Sequence, residues 1–136
     1  MALYRTGGGG MSETTLWTNS SPTANFSLST ITLSQGISSF DFIKIIFVGN
    51  KSAYSSGSEY RQELICPASG LVNAVSTASY CRPSIMGRAS GTSNYFARAL
   101  TYVSNTSLQI DDAVRVKGTG TSNDICIPLQ IVGLKL

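Results

Sequence analysis

The 136-residue chain carries ten basic and seven acidic residues, a net charge of +3, and no histidine. Charged residues make up 12%, against an ordinary share of about 25%, so its polarity comes from 21 Ser, 13 Thr and 7 Asn. An apolar share of 42% excludes a disordered, highly charged composition, and the length predicts one domain able to bury a core without metal or disulfides.

Residues 1–13 lack apolar periodicity, and the run Gly7–Gly10 forbids a stable element of its own. Four glycines ahead of Met11 can be a linker, a cloning remnant or the flank of an extended arm. The arm is the preferred reading, with Leu3, Tyr4 and Arg5 offered to a partner subunit. "MALYRTGGGG" has no apolar signal-peptide core, so no secretory leader is expected.

From Thr14 the pattern is β throughout. "TTLWT" (14–18) is closed by the turn cluster "NSSPT". "FSLSTITL" (26–33) alternates as a strand. "FDFIKIIFVG" (40–49) is apolar on both faces and predicts a central strand covered on both sides. Its part "FIKIIFVG" is the longest apolar stretch, far too short to span a bilayer and carrying Lys44, so no membrane partner is expected. "NKSAYSSGS" (50–58) reads as a loop, and "EYRQELIC" (59–66) as a strand with an exposed face of Glu59, Arg61 and Glu63, ended by Pro67.

Residues 68–83 are small and polar, which favours a loop over a short helix. "SIMGRAS" (84–90) and "NYFARALTYV" (94–103) resume the strand pattern; in the second, Phe96, Arg98, Leu100 and Tyr102 oppose Tyr95, Ala97, Ala99 and Thr101. "LQI", "AVRVKG" (113–118) and "ICIPLQIVGLKL" (125–136) complete the series, and Pro128 places the last strand at an edge or gives it a bulge. Short strands with turn signals about every 8–12 residues predict an all-β fold, a single antiparallel β-sandwich of jelly-roll-like form over 14–136 with an extended N-terminal arm over 1–13.

The residues of catalysis are mostly missing. Without histidine there is no Ser/His or Cys/His nucleophile pair. Asp111 and Asp112 lie between strands, where Asp is a turn residue. With Asp124 they lack the spacing of a calcium loop, and Cys66, Cys81 and Cys126 lack zinc-site spacing. No enzyme activity, metal or cofactor is expected. Cys126, in an apolar run, reads as a buried free thiol, and the three cysteines as reduced. The basic residues Lys44, Lys51, Arg61, Arg82, Arg88, Arg98, Arg115, Lys117 and Lys135 are spread without a cluster, which reads as scattered surface charge and not as a nucleic-acid stripe.

Binding remains. Trp17, Phe42 and Phe47 read as core aromatics, whereas Tyr54 and Tyr95 sit beside Ser-, Gly- and Asn-rich loops of the kind that form adaptable binding surfaces. They are the candidate receptor-binding residues.

Residues 16–47, "LWTNSSPTANFSLSTITLSQGISSFDFIKIIF", together with the ending "CIPLQIVGLKL", resemble the small β domains of bacteriophage and prophage structural proteins found in tail fibres, head fibres and baseplate appendages. The resemblance covers about a third of the chain and leaves 60–120 unmatched. It implies a virion structural protein made in the bacterial cytoplasm, a homo-oligomer with trimer favoured, joined to other virion proteins through its arm and binding a host surface glycan or protein. The alternative it implies is a capsid or tail decoration or connector protein with no receptor-binding role.

Overall fold

The computed structural model describes residues 10–55, 61–75, 82–89 and 94–136. Leu3, Tyr4 and Arg5, and with them most of the expected arm, lie outside the described residues, as does Cys81. The described elements are β1 (Ser12–Thr18), β2 (Ser29–Thr32), a 3-10 turn at Ile37–Ser39, β3 (Phe42–Asn50), α1 (Lys51–Ser55), β4 (Arg61–Pro67), α2 (Ala68–Val72), β5 (Ser84–Arg88), β6 (Tyr95–Ser104), β7 (Ser107–Ile110), β8 (Val114–Arg115) and β9 (Ile125–Lys135).

Two antiparallel sheets pack face to face, as the alternation predicted. One runs β1-β9-β3-β4; the other runs β2-β7-β6-β5, with β8 also paired to β6. The first and last strands pair with each other, and the next pair inward, β2 with β7, falls in the opposite sheet. The inward face of β3 supplies Ile43, Ile45 and Phe47, which with Ile131 meet Ile31, Leu100, Leu108 and Ile110 of the other sheet. Each such fully buried aliphatic side chain contributes about 1.5–3 kcal/mol.

The sheet edges depart from the sequence reading in places. β1 begins at Ser12, ahead of Thr14, with Glu13 paired to Leu134. The segments read as loops hold the short helices α1 and α2. Of "AVRVKG" only Val114 and Arg115 are strand, because the chain turns back through Gly118 and Gly120, both with positive φ.

Pro128 resolves in favour of the bulge. β9 is no edge strand but sits between β1 and β3. Ile46 pairs with Gln130 and Phe47 with Pro128, which leaves Leu129 as the extra residue. Proline has no N–H for the ladder, and the bulge absorbs the missing bond. On the β1 side, Asn19 continues the edge: its Nδ2 donates to the Pro128 carbonyl and its N–H to the Leu129 carbonyl, each at 2.8 Å. Farther along β9, Gly133 leaves room for the Phe40 ring, which would lie only 2.5 Å from a Cβ there.

The basic residues are not all surface charge. Lys44 is 9% exposed and Arg98 is fully buried. Lys44, on the outer face of β3, reaches across β9 to Glu13 on β1 at 2.9 Å and, on its other side, to Glu63 on the adjacent β4 at 3.6 Å. Burial opposes its charge, but the Glu13 hydrogen bond and the two carboxylate charges outweigh that, and its pKa rises. Of the expected core aromatics, Phe47 is buried; Trp17 is half-buried with its ring edge-on to Phe26, and Phe42 is half-buried.

Candidate functional site

β6 carries the site because its alternation sends chemistry to both faces. Phe96, Arg98 and Leu100 point inward and are buried, while Tyr95 points outward. Strand geometry requires this opposition between neighbours.

Inside the sandwich, Arg98 is held by backbone carbonyls. Its Nε donates to the carbonyls of Cys126 at 2.8 Å and Ile125 at 3.2 Å. One terminal nitrogen reaches the Asp111 carbonyl at 3.0 Å; the other reaches those of Ile125 at 2.9 Å and Asn123 at 3.1 Å. The guanidinium also lies 5.3 Å from the centre of the Phe26 ring, within cation–π range. Burial lowers its pKa to about 10, with the Cys126 thiol and the Asp112 and Asp124 carboxylates opposing the shift, so it is cationic at neutral pH. A planar fork of donors is the side-chain shape that can satisfy four carbonyls at once.

Those carbonyls bracket the segment 111–126, so Arg98 fixes both ends of the excursion that carries β8. Further bonds brace the excursion. Ala113 N–H donates to Asn123 Oδ1 at 2.9 Å, and the Arg115 N–H to the Gly120 carbonyl at 2.9 Å. β8 is thereby laid against β6, with Ala97 opposite Val114 and the Val116 N–H on the Tyr95 carbonyl at 2.9 Å. On the other edge of β6, Met86 lies opposite Ala97 and Arg88 opposite Tyr95.

Outward-facing rows result: Met86, Ala97, Val114 and, beside them, Arg88, Tyr95, Val116. A cleft of about 430 Å³ opens here, lined by Met86, Asn94, Tyr95, Arg115, Val116 and Lys117. Its floor is apolar yet wet: Met86 is 45%, Tyr95 49% and Val116 55% exposed. Its rim is polar and cationic. Arg115 donates to Asn94 Oδ1 at 2.5 Å, a bond that sets the guanidinium beside the Tyr95 end of β6. The volume falls in the small-ligand range of about 300–1,000 Å³.

The two candidate tyrosines part company. Tyr95 is half-exposed in this cleft. Tyr54 sits on α1, half-buried against Val48, Ile127 and Leu129 on the outer side of the first sheet. It borders a second cleft of about 80 Å³ with Asn19 and Arg61. Tyr54 on α1, packed against the first sheet, and Tyr95 on β6 of the second line different clefts and do not form one site. Met86, Arg115, Val116 and Lys117 escaped the sequence reading, because the strand register that brings 86, 95 and 116 side by side is invisible before folding. The alternation of Val114 and Val116 around Arg115 was the available signal.

The acidic residues between β7 and β9 are structural. Asp111 accepts from Gln109 Nε2 at 2.9 Å and lies 3.4 Å from Arg82. Asp112 accepts from the Leu28 N–H at 2.8 Å and from Asn123 Nδ2 at 2.9 Å. Among the described residues no group of three or more Cys, Asp or Glu side chains could hold a metal ion. Cys126 is a buried free thiol and Cys66 a half-buried one; burial raises their pKa values to about 12 and about 11, Arg98 partly opposing the first.

Fold and site together define a small antiparallel β-sandwich with an open, aromatic-floored, cationic-rimmed cleft on one outer face. No family model matches the chain, and no curated protein matches it.

Proposed function

We propose that this chain is a bacteriophage virion structural protein of the fibre or appendage kind, which recognises a host surface glycan through the cleft at Tyr95. The observation that carries the reading is the half-exposed Tyr95 ring on a floor of Met86 and Val116, with Asn94, Arg115 and Lys117 at its rim. An aromatic face covers the apolar side of a sugar ring while the amide and cationic groups meet its hydroxyls and charged substituents. The sandwich architecture and the resemblance of residues 16–47 and 126–136 to phage β domains support the virion setting. In that setting the protein assembles as a homo-oligomer, a trimer by preference, through the segment bearing Leu3, Tyr4 and Arg5.

The test is competition. Purified chain added to host cells should reduce adsorption of the particle that carries it, and Tyr95→Ala should abolish that inhibition while unfolding at the same temperature. Undiminished inhibition by Tyr95→Ala excludes the cleft. Inhibition by neither protein, with the chain detected in purified particles, favours the decoration or connector role.

A further inference from the structure

We infer that the ligand of the Tyr95 cleft is an anionic saccharide, one bearing a carboxylate or phosphate group; this inference rests on the glycan reading above. The charge around the cleft has one sign. Arg115 and Lys117 line it, Arg88 lies opposite Tyr95 in the β5–β6 register on the same outer face, and no described acidic residue lines it.

The acids of the neighbouring segment are committed elsewhere. Asp111 meets Arg82 and Gln109. Asp112 accepts from Leu28 and Asn123. Asp124 accepts from Ser122 Oγ at 2.6 Å. The rim cations therefore face solvent with no described carboxylate to neutralise them, which suits a ligand that brings the negative charge.

Arg115 is also oriented. Its bond to Asn94 uses one terminal nitrogen. Its side chain lies along Gly118, where a Cβ would stand 3.8 Å from the Arg115 Cδ and Nε atoms, at ordinary contact distance. A guanidinium held in one attitude loses little freedom on pairing with a carboxylate or phosphate, and such charge-assisted bonds are the stronger class. The apolar floor argues against a nucleic-acid strand. Single-strand grooves present successive aromatic platforms along a basic track, whereas Tyr95 is the one aromatic ring among the described lining residues.

The test uses the full chain on a printed array in which each acidic glycan (uronate, sialylated or phosphorylated) stands beside its neutral counterpart, with a thymidine oligonucleotide as a further probe. Binding should favour acidic members by about tenfold or more, the effect of one charge-assisted bond, and the preference should shrink as salt is raised. Arg115→Gln and Lys117→Gln should each erase most of it while leaving the melting temperature unchanged. Equal binding to acidic and neutral partners overturns the inference and leaves the glycan reading standing. Binding to no glycan, or stronger binding to the oligonucleotide, overturns both.

Discussion

Arg98 Nε donates to the carbonyl of Cys126 at 2.8 Å, and Cys126 is the one non-glycine among the described residues with a positive φ, 52°. A left-handed conformation at a non-glycine residue persists only when its surroundings over-determine it. Here the guanidinium holds the carbonyl on one side and the sandwich closes over the side chain on the other. Arg98→Met removes the donors and leaves the buried carbonyls of Ile125 and Cys126, and the half-buried Asp111 carbonyl, without the guanidinium, while the Asn123 carbonyl keeps the Phe26 N–H. We predict a loss of about 3 kcal/mol or more in urea unfolding. Arg98→Lys should recover little of it, because one ammonium cannot reach the spread of carbonyls that the fork serves.

A second prediction concerns the neighbour of Cys126 across the sheets. A Cβ on Gly87 would sit 2.7 Å from Cys126 Sγ and 3.0 Å from the Gly49 carbonyl. Cys126 cannot retreat while Arg98 holds its carbonyl. Gly87→Ala is expected to cost about 1–3 kcal/mol by overpacking. In the double variant with Cys126→Ala the sulfur clash is gone, so the two losses should fall well short of additivity in a double-mutant cycle. Simple additivity would mean that the Gly49 carbonyl and Ile125 Cγ2, 3.1 Å from the added Cβ, set the cost.

Acid stability should report Asp112. Its pKa is lowered from 3.8, first by the Leu28 N–H and then by Asn123 Nδ2, with Arg98 adding to the effect. A carboxylate held low in the native state stabilises above its unfolded value, and that stabilisation disappears as pH falls through the native value. Wild-type stability should therefore decline as pH drops below about 4, and Asp112→Asn should flatten that decline while being less stable at neutral pH. An unchanged acid limb in Asp112→Asn would contradict the assignment.

Cys126 gives a probe of global opening. It is fully buried, and burial raises its thiol pKa to about 12. Iodoacetamide at mildly alkaline pH should leave the Cys126 peptide unmodified in native protein, with labelling appearing only at the unfolding rate. Rapid modification in the absence of denaturant would show that the β6–β9 seam opens locally.

The layering of the fold was legible because nearly every strand announced itself by alternation, and Tyr95 stood out by its loop setting. The role of Arg98 was half visible. Its alternation with Phe96 and Leu100 put it on the core face, but its partners are carbonyls of residues 111–126, distant in sequence and anonymous as side chains. Composition therefore counted it with the surface charge. Pro128 carried two readings, edge or bulge, because proline removes a ladder bond in either setting; only the pairing of Ile46 with Gln130 and Phe47 with Pro128 decides between them. The cleft was least legible of all. Met86, Tyr95 and Val116 become neighbours through two separate registers on opposite edges of one strand, and no local pattern encodes both.

The central claim, that the outer face at Tyr95 is the binding surface, is tested most directly by amide chemical-shift mapping of the labelled chain during titration with polysaccharide extracted from the host surface. The largest changes should fall at Met86, Tyr95, Val116 and Lys117, with the Tyr54 side of the molecule unmoved. Changes centred on Tyr54 and Arg61, or none at saturating polysaccharide, would contradict it.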